Sequence, residues 1–293
     1  MLPEALPSAL HAVVGWAHRL RIPLHFVPWP GPSGGLTSEA ALLHEYVRTL
    51  TPSGASVDVR TDAWSNGAMS GAAWQAYVAR HRIDLAVLVP PTGNAPSPVL
   101  SVPGAAAMIA DIDAAVLTLP NRHAEGAFTR ILAPTDLTEA AVPTLHHAEA
   151  LAHFTRAQLD VLHVLTRRQY VALTPADMLA LDDAAATPRV AARRLRTWYH
   201  RYTHPSYTAG GSTALHVEQG DPVSTVTRVA QARQSDLIVL AASHHPRRTG
   251  GLSTITENVL RRTTRAMLIA RPRTHSLVDA LPPRAASAPN PSS

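Results

Sequence analysis

The sequence contains no cysteine and no lysine. Without thiols there is no disulfide, no thiolate zinc site and no cysteine nucleophile. Without lysine, all 26 basic residues are arginine. Together with 25 prolines and abundant alanine, this reads as a bias toward GC-rich codons. Aromatic residues are scarce, at 5%. No apolar run reaches the ~18 residues that a membrane-crossing helix needs. Met1-Leu2-Pro3-Glu4 carries neither the basic flank nor the apolar core of a secretory signal. The expectation is a cytoplasmic protein with no membrane partner.

What is present is apolar material. At 46% hydrophobic and 16% charged residues, the chain can bury a sizeable core. Its 293 residues are about twice a common domain length of ~150, so two domains are expected. The net charge of +5 does not point to nucleic acid, because the arginines are scattered. Their densest group, Arg193-Arg194-Leu195-Arg196, precedes Trp198, Tyr199 and Tyr202. Leu195, Trp198, Tyr199 and Tyr202 fall at i, i+3, i+4 and i+7, the spacing of a buried helical stripe. Aromatics held in a core do not stack on bases. No nucleic-acid partner is expected.

The second half reads as alternating strands and helices. Arg130 to Asp136 is a short apolar run stopped by Pro, Thr and Asp, and Ala141, Leu145, Ala148 and Ala152 follow at helical spacing. Leu159 to Leu165 is apolar on both faces, as in a buried parallel sheet. Thr187-Pro188 supplies an N-cap and first helical position for the aromatic helix. Thr213 to Val217, a helix opened by Asp221-Pro222, the strand Asp236 to Ala242, a helix over Thr254 to Thr263 and the strand Ala266 to Ala270 complete the order. Such a βαβαβαβαβ order makes one parallel, doubly wound sheet.

The first half repeats this order. Asp84 to Val89 matches Asp236 to Ala241 at an offset of 152 residues, and Ala115 to Leu119 matches Ala266 to Ala270 at 151. Leu24-His25-Phe26-Val27 echoes Leu162-His163-Val164. The fold class is therefore α/β, as two tandem Rossmann-like doubly wound parallel sheets. One element has no counterpart: the strand equivalent to Ile131–Asp136, because a helix over Ala5 to Leu20 comes first. Domain one, residues 1–125, should carry four of five strands; domain two covers 126–275, and 276–293 reads as a disordered tail.

As a set, Ile131-Leu-Ala-Pro-Thr-Asp136, Ala148 to Ala152 leading to Leu162-His-Val164, Gly220-Asp-Pro222, Asp236-Leu-Ile-Val-Leu240 and Thr256-Glu257 through Ala270 resemble the universal stress protein family. The resemblance covers residues 128–272 well and 1–120 weakly. It implies a small Rossmann-like α/β unit, often in tandem, that binds adenine nucleotide in some members. Carried over by position, Asp136 would take the adenine and Val164 would pack near the base. The phosphate loop, Gly-x-x-Gly, nine residues, Gly-Ser/Thr, falls on Ala241, His244 and Ser253-Thr254. All three glycines are absent. Glycine lets backbone N–H groups approach phosphate closely, so the site reads as degenerate. Arg247 and Arg248, with Gly250-Gly251 and Ser253-Thr254 at a helix N-terminus, could compensate. Equally, Thr254 with Glu257 makes a capping box that needs no ligand, and Asp136 with Glu139 an N-cap pattern.

Nothing else carries chemistry. The His146-His147 and His244-His245 pairs cannot each put both rings on one metal from a helix, since adjacent residues lie about 100° apart; they read as surface or capping histidines. Asp182-Asp183 reads as a solvated turn. No nucleophile elbow, P-loop or zinc-protease motif is present. The reading is a tandem, non-catalytic binding protein of that family, with no catalytic residue, no metal and no resident cofactor. The alternative is a working ATP or AMP site in domain two with slow hydrolysis. The two edge strands, Ala115–Leu119 and Ala266–Ala270, are expected to pair with one another and make an internal pseudo-dimer, with a homodimer through the same strands as the other outcome.

Overall fold

The computed structural model describes residues 13–15, 24–26, 57–59, 71–88, 105–120, 128–166, 188–204, 207, 212–242 and 252–271. In chain order the elements are β1 (Leu24–Phe26), β2 (Val57–Val59), α1 (Gly71–His81), β3 (Leu85–Leu88), α2 (Ala105–Asp111) and β4 (Ala115–Thr118). Then come β5 (Arg130–Thr135), a 3-10 turn (Glu139–Ala141), α3 (Val142–Thr155), β6 (Gln158–Leu165), α4 (Pro188–Tyr202) and β7 (Thr213–Gln219). The last are α5 (Pro222–Ala232), β8 (Leu237–Ala241), α6 (Thr254–Arg262) and β9 (Ala266–Ala270). The expected strands of the second half all form, within two residues of their expected ends. Residues 13–15 are helical, inside the expected first helix; the domain link near 121–127, Asp182-Asp183 and the tail lie outside the described residues.

Seven strands form one sheet in the order β3-β4-β9-β8-β5-β6-β7. The strands β9, β8, β5, β6 and β7 run parallel. Because strand side chains alternate between faces, each face of this sheet has its own apolar layer. Ile131, Leu159, Val161, Leu237, Val239 and Leu268 meet Leu145, Ala148 and Ala152 of α3 and Leu195 and Trp198 of α4. On the other face Leu132, Leu162, Ile238 and Met267 meet Val223, Val226 and Val229 of α5 and Leu260 of α6. The aromatic stripe is core as its spacing requires: Leu195 and Trp198 are buried, and Tyr199 and Tyr202 pack against them.

The sheet continues across the two halves of the chain. β4 pairs antiparallel with β9, with Val116 opposite Ile269, Leu117 opposite Leu268 and Thr118 opposite Met267. This is the edge pairing the sequence suggests, and all residues of both strands are buried. Arg271, just past β9, reaches over the seam and donates from Nη2 to the carbonyls of Ile109 and Ala110 at the end of α2.

The expectation that the four strands of domain one share one sheet needs correcting. β3 and β4 belong to the long sheet, whereas β1 and β2 form a parallel two-stranded sheet of their own. In the second half, β5 sits between β8 and β6 and joins them. Among the described residues no strand plays that part between β3 and β1. Among the described residues the strands of the first half thus fall into two sheets.

Candidate functional site

In an open α/β sheet the ligand crevice opens beyond the carboxyl ends of the strands, where the strand order reverses. Here β5 leads outward to β6 and β7, while β8 leads the other way to β9. The reversal therefore falls between β5 and β8. Asp136 follows the end of β5, Val164 lies near the end of β6, Ala241 ends β8, and Ser253-Thr254 begin α6. These five residues flank one end of one sheet. His244, Arg247 and Arg248 lie outside the described residues.

Asp136 is exposed, and its Oδ1 accepts from the backbone N–H of Thr138 at 3.0 Å and from its hydroxyl at 2.7 Å. Between them Leu137 adopts φ +64°, a left-handed conformation that a branched side chain rarely takes. The Leu137 N–H is held by Thr135 Oγ1 at 3.0 Å. The N-cap expectation is corrected in detail. The turn after β5 begins at Thr138, whose side chain caps nothing, and Asp136 bridges to it from outside. His163, at the end of β6, donates from Nδ1 to the Thr135 carbonyl at 2.9 Å. It stands beside Asp136 at the crevice and was not singled out by sequence. Val164 is half-buried against the α5 face of the core.

At the β8–α6 end the described polar groups bond one another. Ser253, not Thr254, is the N-cap, and its Oγ accepts from the Thr256 N–H at 3.0 Å. Ser253 Oγ donates to Thr256 Oγ1 at 2.8 Å, and Thr256 Oγ1 donates to the buried Ala241 carbonyl at 2.7 Å. The backbone N–H of Ser253 donates to Ala242 O, and that of Ala242 to Ala270 O at 2.8 Å. The expected Thr254–Glu257 capping box does not form: Glu257 turns outward and accepts from Arg261 at 2.7 Å. Ala241 and Ala242 are buried, at 4% and 1% exposure, so their methyl groups fill space in the core.

Two buried carboxylates lie away from this crevice. Glu149 of α3 accepts from the Thr203 hydroxyl at 2.5 Å and from the His204 N–H at 3.0 Å. Burial holds its carboxyl above the usual range, with those two hydrogen bonds and the nearby His146 pulling the other way. A shallow surface depression beside it is lined by His153, Tyr199 and Tyr207 at the amino ends of β6 and β7. Asp160 of β6 accepts from His216 Nε2 of β7 at 2.8 Å, and His216 Nδ1 accepts from Arg233 at 3.1 Å. The histidine expectation is corrected at His147, which is 1% exposed; His146 is half-buried and caps the end of α4, donating to the Tyr202 carbonyl at 2.8 Å. His244-His245 lies outside the described residues. Among the described residues no group of three or more His, Cys, Asp or Glu is placed to hold a metal, and no helix is long and apolar enough to cross a membrane.

The fold and the crevice define a Rossmann-like α/β protein. Residues 127–271 match the universal stress protein family, and through them the chain belongs to that family. Among curated proteins, none matches the chain in sequence. Two solved structures extend the likeness beyond the matched region. A universal stress protein from Archaeoglobus fulgidus is 12% identical over 92% of this chain and 93% of its own, with a TM-score of 0.58. A functionally unknown protein from Pseudomonas aeruginosa PAO1 is 17% identical over 90% of this chain and 85% of its own, also with a TM-score of 0.58. At these identities the likeness establishes the fold.

Proposed function

We propose that this protein is a non-catalytic, stress-response or regulatory binding protein, in which two family-type units meet through β4 and β9 and the nucleotide site of the second is degenerate. One observation carries the reading: the hydroxyls at the head of α6 are spent inward. A hydroxyl has one proton to donate. That of Ser253 goes to Thr256, and that of Thr256 to Ala241 O. Neither is left for a phosphate oxygen, and the Thr256 N–H is taken by the cap. With methyl groups at Ala241 and Ala242, the described residues of this end support a helix without building an anion cradle.

Extraction of the purified full-length protein with acid, followed by nucleotide chromatography, tests the reading. No adenine nucleotide is expected. Stoichiometric ATP or AMP would overturn it and favour a second reading, an ATP or AMP site with slow hydrolysis. That reading draws on Asp136 and Val164, which keep the positions a base would need at the ends of β5 and β6. A turnover assay then decides whether such a site hydrolyses its nucleotide.

A further inference from the structure

The two halves of the chain offer an internal comparison. β8 and β3 occupy equivalent places: Leu237 stands opposite Ala266 of β9 as Leu85 stands opposite Ala115 of β4. On its other side β8 receives β5, with Ile131 opposite Leu237 and Leu132 opposite Ile238. The junction has a clamp at its head. Asp236 Oδ2 accepts from the Thr129 N–H at 2.8 Å and its hydroxyl at 2.7 Å, and Oδ1 accepts from the Arg130 N–H at 3.0 Å. The carboxylate thus grips the first two peptide groups of the inserted strand. With β5 in place, Leu237, Ile238 and Val239 are each 0% exposed.

β3 has the same equipment, and among the described residues no strand pairs with its outer edge. Asp84 corresponds to Asp236; it is exposed, and among the described residues its carboxylate has no hydrogen-bond or ion-pair partner. Ala115 N–H donates to Asp84 O, and Leu119 N–H to Leu88 O, so the even-numbered residues turn their peptide groups to β4. Peptide groups alternate along a strand. Leu85 and Val87 therefore turn theirs to the other edge, where no described residue pairs with them. All four β3 side chains are half-buried, although Leu85 and Val87 join one apolar layer and Ala86 and Leu88 the other. β1 is tied to the helix before β3: His25 Nδ1 lies 3.1 Å from Tyr77 Oη of α1, and its ring lies 5.2 Å from that of His81. In the second half, β6 lies under α5 in the same way, with β5 between.

We propose that the outer edge of β3, headed by Asp84, is an acceptor site for an extended strand of another polypeptide. Such a strand would run parallel to β3. A Ser or Thr at its start gives hydroxyl and N–H to Asp84, the next N–H completes the grip, and an apolar run continues along Leu85 and Val87. Main-chain bonds supply the affinity, and alternate side chains entering the two apolar layers supply the choice of sequence. The chemistry sought is that of Thr129–Thr135 itself.

A fluorescent peptide with the sequence of residues 128–136 is the probe, titrated into the full chain and followed by anisotropy. Saturable binding is expected, weakened about tenfold or more by Asp84→Asn, a change at an exposed side chain that leaves the fold intact. A peptide with the reversed sequence should bind no better than to Asp84→Asn. Hydrogen exchange gives a second reading: in the free chain the amides of Leu85 and Val87 exchange faster than those of Ala86 and Leu88, and the peptide slows the faster pair. Absence of saturable binding, or equal binding to wild type and Asp84→Asn, overturns the proposal. So does protection of Leu85 and Val87 in the free chain, which would mean that a second copy or another segment already covers the edge. None of these outcomes depends on the nucleotide site.

Discussion

Glu149 carries the clearest electrostatic consequence of the fold. It is 4% exposed, and burial raises its proton affinity above that in the unfolded chain. A group of this kind contributes most to stability below the unfolded carboxylate range, near pH 4, and that contribution is lost as pH rises through the raised value. Comparing urea midpoints of wild type and Glu149→Gln from about pH 4 to pH 8 isolates it. Wild type should lose ground relative to the variant as pH rises; a difference that stays constant with pH contradicts the assignment. The residue was not legible in the sequence, because a single Glu among Ala148, Ala150 and Ala152 looks like the solvent face of an ordinary helix. α3 is instead packed on the sheet and met on its polar side by the end of α4, where Tyr202, Thr203 and His204 bond His146 and Glu149. His147 was misread for the same reason.

At the scale of elements, what was legible followed apolar runs. The strands around Asp84 and Asp236 could be placed because nearly every position is apolar, and the α4 stripe because its spacing has only one helical reading. The cap of α6 was placed one residue late. Ser253 and Thr254 are chemically equivalent as caps, and the choice between them is tertiary: Thr256 Oγ1 reaches Ala241 O only if the helix starts at Thr254. Ser253→Ala removes the acceptor for the Thr256 N–H and should cost about 1 kcal/mol of stability. Thermal unfolding measures it, and a neutral effect would show that the cap contributes nothing. β2 and the helices α1 and α2 were not identified, since short segments with weak periodicity carry little signal.

For the whole molecule, the joining of the two halves was legible from two apolar edges and one repeat. The splitting of the first sheet followed only once the strand order was in view. The β4–β9 seam places Leu117 opposite Leu268 in a fully buried strand pair. Each apolar side chain there is stabilised by roughly 25 cal/mol per Å² removed from water. Expression of residues 126–275 alone exposes the edge of β9, and light scattering should report a dimer or an aggregate. A stable, monodisperse monomer would show that the edge needs no partner.

The degenerate site is the central claim, and its residues were only half legible. Asp136, Val164 and the lost glycines could be read by position; the inward commitment of Ser253 and Thr256, and His163 beside Asp136, depend on how the strands end. Calorimetric titration of the full chain with ATP and magnesium tests the claim most directly. The account predicts no measurable heat of binding at micromolar nucleotide, with wild type and Asp136→Ala indistinguishable. Micromolar binding by wild type that Asp136→Ala abolishes would contradict it.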